Sequence, residues 1–285
     1  MLLFKSLNDI ITRKFEIWKR EEIMEFFKIL FKNRKIAIQL GKNDFRNRFA
    51  NTSLGTIWGF AQPFVFMLTY VIVFQYILKT GSSGEYPYVV WFLPGMAMWM
   101  FCSDAILTAS NSIRNYSYLV KKVVFPVDII PIISLTSSSF IGMFLIAIAC
   151  IASMIYGSFP NILNVIYMIF CAFCFIIALT RFTSALTTIV PDFAQFLNIL
   201  IQLFMWFTPI IWNLNMIQGD LVTLFKISPF AYLVEGFRQA FIESSTIITE
   251  SNGVFTLVFW VITILLFIWG NAVFKKNKKD FSDVL

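Results

Sequence analysis

Apolar residues along this chain gather into six long runs: Ile57–Leu78, Val89–Ala109, Ile129–Tyr156, Ile162–Leu179, Phe193–Trp212 and Val254–Phe274. Each is about the length a helix needs to cross a hydrocarbon core of ~30 Å. Ahead of them, Ser6–Phe31 has a different rhythm. Phe15, Trp18, Ile23, Phe27 and Leu30 recur at near-helical spacing, with Glu21, Glu25, Lys28 and Lys32 on another face. That pattern predicts an amphipathic helix in the membrane interface, although the same face would also suit packing on a cytoplasmic partner. The connections Lys79–Tyr88 and Gly157–Asn161 are short, and Gly81, Ser82, Ser83 and Gly84 make the first a turn. Asn213–Gly253 is longer. It holds two apolar stretches, Met216–Phe225 and Pro229–Phe241, that are too short to span and read as a re-entrant helical pair separated at Ser228-Pro229. The fold class is therefore an all-α polytopic membrane protein: six transmembrane helices, an N-terminal interface helix, and re-entrant outer helices between spans five and six. Its expected organisation is a cytoplasmic segment at 1–56, a transmembrane domain at 57–274 and a tail at 275–285.

Charge orients this array. Twelve of the 23 Lys and Arg residues precede the first span. Arg114, Lys121 and Lys122 follow the second span, Arg181 the fourth, and Lys275, Lys276, Lys278 and Lys279 the sixth, whereas the opposite side holds Lys79, Lys226 and Arg238. The positive-inside rule then puts both termini on the cytoplasmic side of the membrane. The net charge of +7 lies beside the membrane, where anionic lipid rather than nucleic acid is the expected partner. Charged residues make up 14% of the chain, against ~25% in soluble domains, so the length describes one membrane domain. No short apolar core ending in small residues opens the chain, so insertion is expected to be directed by the spans. No internal repeat suggests a secondary transporter of inverted halves.

The available chemistry is sparse. With no His, Ser-His and Cys-His nucleophile systems are excluded. Cys102, Cys150, Cys171 and Cys174 fall within apolar runs, and the lone Cys171-x-x-Cys174 has no partner motif for a metal, so they read as small buried residues. Asp104, Asp128, Asp192 and Glu235 are scattered over different segments. Asp104, late in span two, is either a functional intramembrane acid or a bond to a neighbouring helix. No GxxxxGK[ST] loop occurs, so any pumping must be powered by another subunit. Aromatic residues reach 18%, with Trp58, Trp91, Trp99, Trp206, Trp212, Trp260 and Trp269 within or near span ends. Aromatic belts account for such positions, and the same rings can stack on sugar faces.

The most informative local segment is Asp44–Pro63, DFRNRFANTSLGTIWGFAQP. Gly55 permits close backbone approach, the head of span one offers N–H groups to an anion, and Arg46 and Arg48 add positive charge. Together they could hold a phosphate at the cytoplasmic surface; the alternative for the arginines is positive-inside anchoring. A charged segment leading into x-Leu54-Gly55-x-x-Trp58, then Pro63, resembles the permease subunits of ABC-2-type polysaccharide exporters, which carry O-antigen, capsule or teichoic acid. Lys121-Lys122-Val123-Val124-Phe125-Pro126, Phe207-Thr208-Pro209, Ser228-Pro229-Phe230 and Glu235-Gly236-Phe237-Arg238 add to the resemblance in order. Ser228 stands where family members often carry Asn, a change that keeps a helix-capping side chain.

The resemblance implies a homodimer of permeases with two cytoplasmic ATP-binding subunits, exporting a polyprenyl-diphosphate-linked glycan. It implies that Asp44–Phe49 is a gating helix and that Ser53–Gly55 is the loop that meets the lipid diphosphate; the candidate substrate-binding residues are Arg46, Arg48, Leu54, Gly55 and Trp58. Asn111–Pro126 would hold the coupling helix, with Arg114, Tyr116, Lys121, Lys122, Phe125 and Pro126 against the ATPase. Met216–Phe241 would form outer gate helices bearing Pro229, Glu235 and Arg238. No cofactor is expected in this chain, ATP and Mg being bound by the partner subunit. Independently, six helices that shield one another from lipid enclose little room for a hydrated polymer, whereas two copies make a central path. The rival readings are an ABC-2 exporter of a drug or simple lipid, a membrane-bound glycosyl- or acyltransferase, and a passive scaffold.

Overall fold

The computed structural model describes residues 24–26, 28–79, 87–121, 125–216, 221–242 and 253–285. Among these residues every regular element is helical. In chain order they are α1 (Arg34–Arg48), α2 (Ile57–Val71, continued by a π-helical turn at Ile72–Ile77), α3 (Tyr88–Asn115), α4 (Ser117–Val120), α5 (Ile130–Ile155, led in by a 3-10 turn at Val127–Ile129), α6 (Ile162–Ile189), α7 (Asp192–Phe207), α8 (Leu221–Ile227), α9 (Pro229–Ile242), α10 (Gly253–Asn277) and α11 (Phe281–Val284). Residues 24–26 and 28–32 are also helical and lead into α1. Most of the expected interface helix, residues 1–23 and Phe27, lies outside the described residues.

Five helices are long and apolar enough to cross a membrane, against the six expected. The fifth expected span, Phe193–Trp212, is shortened to the 16-residue α7, which rises about 24 Å. Its end has a local cause: Pro209 pushes Thr208 out of the helical region, to φ −86° and ψ 136°. Two other spans run longer than their apolar runs. Helix α3 passes Ala109 to end at Asn115, and α6 passes Leu179 to end at Ile189. These extensions are rich in Ser, Thr and Asn, and they are held by bonds between helices: the hydroxyls of Ser110 and Thr183 lie 2.6 Å apart, and Thr187 donates to the carbonyl of Ser110. The connection Asn111–Asp128 is accordingly shorter than expected, and its described short helix, α4, ends at Val120 rather than at Phe125-Pro126. Between α7 and α10 the two expected short helices are present as α8 and α9, broken at Ser228-Pro229 with Pro229 in the first turn of α9.

Helix α3 is the mast of the structure. Of its most apolar stretch 83% is buried, against 17% for the corresponding stretches of α2 and α10. It packs against α5, α6 and α9. Packing is close because small residues lie at the crossings, as expected where lipid tails give helices no hydrophobic reason to associate. At Gly41, where α1 lies along α5, an added Cβ would sit 2.7 Å from the Thr136 side chain. Large apolar side chains such as Val65, Phe66, Ile151, Trp206 and Leu265 are left exposed on the outer helices, an apolar perimeter suited to lipid.

Arg181, expected in the connection after span four, instead lies within α6 and is 1% exposed. Its two terminal nitrogens donate to Asp128 Oδ1 at 3.1 and 3.0 Å, and Nη2 also donates to Asn271 Oδ1 at 2.6 Å. The guanidinium lies 3.9 Å from the Phe274 ring centroid and 4.7 Å from that of Phe26, while Lys278 donates to the other Asp128 oxygen. This cluster joins the start of α5, the last third of α6, the end of α10 and the helical stretch before α1. Glu25, paired with Lys275 at 3.1 Å, fixes the same stretch from outside. Removing one partner from a buried pair costs roughly 3–5 kcal/mol because the other charge is stranded. Arg181→Met should therefore lower the melting temperature of the purified protein sharply, and Arg181→Met combined with Asp128→Leu should recover part of that loss. Thermal unfolding in detergent measures both.

Candidate functional site

Helix α1 runs through the expected gating segment to Arg48. Phe45 anchors its last turn, ringed by Phe49, Phe60 and Phe140 at centroid distances of 5.3–5.7 Å. Because α1 is helical here, residues two apart point about 200° from each other, and the two arginines part company. Arg46 is exposed. Arg48 turns inward: Nε bonds Asp44 Oδ2 at 3.2 Å, Nη1 bonds Asp104 Oδ2 at 3.3 Å, and Nη2 reaches the Ser134 carbonyl at 3.3 Å and Ser138 Oγ at 3.2 Å. Asp104 thus bonds a neighbouring helix. Asp44 in turn accepts a 2.6 Å bond on Oδ1 from the hydroxyl of Tyr116, the residue that closes α3. Burial, reinforced by this bond to Asp44, raises the Tyr116 hydroxyl well above its ordinary value, so it remains a donor. Tyr116 was expected only at the coupling segment; the structure also brings it to α1.

Residues 49–56 form a run of turns between α1 and α2. Gly55 has φ +55°, a backbone state that favours glycine, and nothing lies within 4 Å of where its Cβ would be. Leu54 and Trp58 are 52% and 45% exposed. One expectation is corrected: the head of α2 does not offer free N–H groups to an anion. The N–H groups of Ile57, Trp58 and Gly59 donate to the carbonyls of Leu54, Gly55 and Thr56.

The expected coupling segment has an outward and an inward face. Arg114, Tyr118 and Lys121 are exposed. Tyr116 and Leu119 are buried in a cluster with Ile113, Val127, Ile130, Phe274 and Phe281, and Phe125 packs against it. Pro126 is half-buried and immediately precedes the Val127–Ile129 turn. Lys122 lies outside the described residues. The charged tail contributes α11, whose Phe281 meets Phe274 edge-on at 5.4 Å beneath α4. The tail sequence gave no such indication beyond this one ring among its charges.

At the opposite end, Pro229, Glu235 and Arg238 are all on α9. Arg238 is 2% exposed. It donates from Nε to the Trp91 carbonyl at 2.9 Å, from Nη1 to Glu235 Oε1 at 2.6 Å, and from Nη2 to the carbonyls of Pro209 and Ile210 at 3.0 and 3.1 Å. Its guanidinium stacks 3.7 Å from the Trp91 ring centroid and over Gly95, where a Cβ would come within 2.8 Å of Nη2. Arg238 is therefore no loop cation. It ties α9 to the start of α3 and to the carbonyls freed where α7 ends.

Residues 37–242, from α1 to the end of α9, match the family described as ABC-2 type transporter, and this chain belongs to that family. It is a transporter component rather than an enzyme, and the family implies partnering with an ATP-binding subunit. The chain is similar to an O-antigen export system permease protein RfbA of Klebsiella pneumoniae, 22% identical over 254 residues, which are 88% of this chain and 95% of that protein. It is similarly related to a protein of the same name from Myxococcus xanthus, 20% identical over 258 residues, 89% of this chain and 96% of that one.

The Arg238 geometry yields a test. Lysine cannot stack and reach three carbonyls and a carboxylate from one plane, and each acceptor left dry costs roughly 1–3 kcal/mol. Arg238→Lys should destabilise the purified protein clearly, and Gly95→Val should do so by displacing the same guanidinium. Heat-challenged size-exclusion profiles would show both losses.

Proposed function

We propose that this chain is the membrane permease of an ATP-driven exporter that moves a polyprenyl-diphosphate-linked polysaccharide, such as O-antigen, teichoic acid or capsule, from the cytoplasm outward. The observation that carries this reading is coextensive similarity: proteins named as O-antigen export permeases align over nearly nine-tenths of this chain and nearly all of their own length. The site supports it. Arg46 is an exposed cation on the last turn of α1, and the left-handed Gly55 turn leaves Leu54 and Trp58 exposed; on this reading the pyrophosphate meets Arg46 and the prenyl chain lies beside Leu54 and Trp58. Arg48 serves this site from behind, by fixing α1.

Two copies act together, each with an ATP-binding subunit under Arg114–Pro126. The perimeter favours a second copy. Gln62 on α2, and Gln195 and Gln202 on α7, are exposed on otherwise apolar helices, and such side chains are poorly placed in hydrocarbon. A seam between copies would give them a wet, sugar-facing surface. Helix α7 with the 208–212 segment completes a sixth crossing, α8 and α9 dip into the outer leaflet, and both termini face the cytoplasm. The exposed Lys32, Arg34, Lys35 and Lys42 then lie against anionic lipid.

Deleting the chain should cause lipid-linked glycan to accumulate inside the cell while surface glycan disappears. Arg46→Ala should raise the glycan concentration needed for export about tenfold, the loss expected for one charge-assisted bond of ~1.5 kcal/mol, with the melting temperature unchanged. Surface glycan that persists after deletion would refute the assignment. Unchanged concentration dependence in Arg46→Ala would remove that residue from the phosphate contact.

A further inference from the structure

The two segments with assigned roles in export, one under the ATPase and one facing the substrate, are far apart in sequence but touch through four side chains. Tyr116 closes α3 and opens the segment that continues as α4. Its hydroxyl holds Asp44 Oδ1 at 2.6 Å, Asp44 Oδ2 holds Arg48 Nε at 3.2 Å, and Arg48 Nη1 holds Asp104 Oδ2 at 3.3 Å. The loop begins at the next residue, Phe49. We propose that Tyr116, Asp44 and Asp104 are positioning residues that carry movement of the ATPase-docking segment to the loop of residues 49–56. The inference rests on the roles proposed above for those two segments.

The geometry favours transmission over simple bracing. Helix α1 packs its length along α5, with Gly41 against Thr136, and reaches α3 through these polar side chains. Both Asp44 oxygens are engaged, one toward the docking segment and one toward Arg48, so Asp44 follows either neighbour. Asp104 lies twelve residues before Tyr116, about 18 Å up α3. The Tyr116–Asp44 and Arg48–Asp104 bonds therefore grip α1 at two heights, a turn apart on α1. A tilt of the α3 end is delivered to the last turn of α1 as a tilt, and Phe49 passes it to the loop. Arg48 sits between two carboxylates, so the cluster carries an excess negative charge that the Tyr116 hydroxyl offsets. Losing that donor weakens the grip without removing a packed ring.

Coupling of this kind is demonstrated only by non-additive effects on a two-state readout. Ser53 is exposed on the loop. With Ser53→Cys in the complex of this chain and its ATP-binding subunit, reconstituted in liposomes without glycan, the maleimide labelling rate in excess of the unsubstituted chain reports the loop. ATP should change that rate several-fold. Tyr116→Phe should remove most of the response, Asp44→Ala should remove it similarly, and the double variant should lose no more than either single one. Asp104→Asn, which leaves Tyr116 and Asp44 in place, should weaken the response. The proposal is overturned if Tyr116→Phe responds like its parent, if the two losses add as independent sites, if the parent shows no ATP response, or if Tyr116→Phe no longer forms the complex. The glycan is absent from this assay, so failure here is separable from failure of the export assignment, which the deletion strain reads.

Discussion

A guanidinium removed from water must find a partner for nearly every donor, and in this protein three arginines do so by drawing together segments distant in sequence. Arg181 binds the start of α5 to α6 and α10. Arg238 binds α9 to α3 and to the end of α7. Arg48 binds α1 to α3 and α5. An isolated buried charge is prohibitively costly, while a paired and hydrogen-bonded one is tolerated. These contacts therefore act mainly as constraints on geometry: any other arrangement of the same helices strands a charge. Apolar packing around α3 gives the bundle its bulk, and the arginines set its register at both ends.

That division of labour places the functional segments. The segment between α3 and α5 is held at its two ends, by Tyr116 on one side and by Asp128 on the other. One grip leads to α1, the other to α6 and α10. Tyr118 and Lys121 are exposed on this segment, as is Arg114 on the last turn of α3. The loop of residues 49–56 has the opposite character: turns, a left-handed glycine and exposed side chains, bonded at one end to α1 and at the other to the head of α2.

Much of this was legible in the sequence. Long apolar runs located the crossing helices, Ser228-Pro229 separated α8 from α9, and the x-Leu54-Gly55-x-x-Trp58 segment marked the exposed turn. The failures have physical causes. Ser110, Thr183 and Thr187 resemble loop residues by composition, but they satisfy one another between helices and extend α3 and α6. Arg181 and Arg238 were counted among loop cations because a residue count cannot distinguish a solvated guanidinium from a buried one. Thr208-Pro209 was visible as a family-like motif, yet its effect on helix length required the backbone angles. Arg46 and Arg48 looked like one phosphate clamp; helical geometry turns one outward and the other into the bundle. The N–H groups at the head of α2 looked available and are closed by the turn before them.

The central claim is that this chain forms a glycan conduit driven by a separate motor. The most direct measurement places the chain and its ATP-binding subunit in sealed liposomes with a short lipid-linked glycan, and follows exposure of the sugar to a membrane-impermeant glycosidase on the far side. The account predicts ATP-dependent exposure that requires both proteins. Exposure without this chain, or none with both proteins and ATP present, would contradict it.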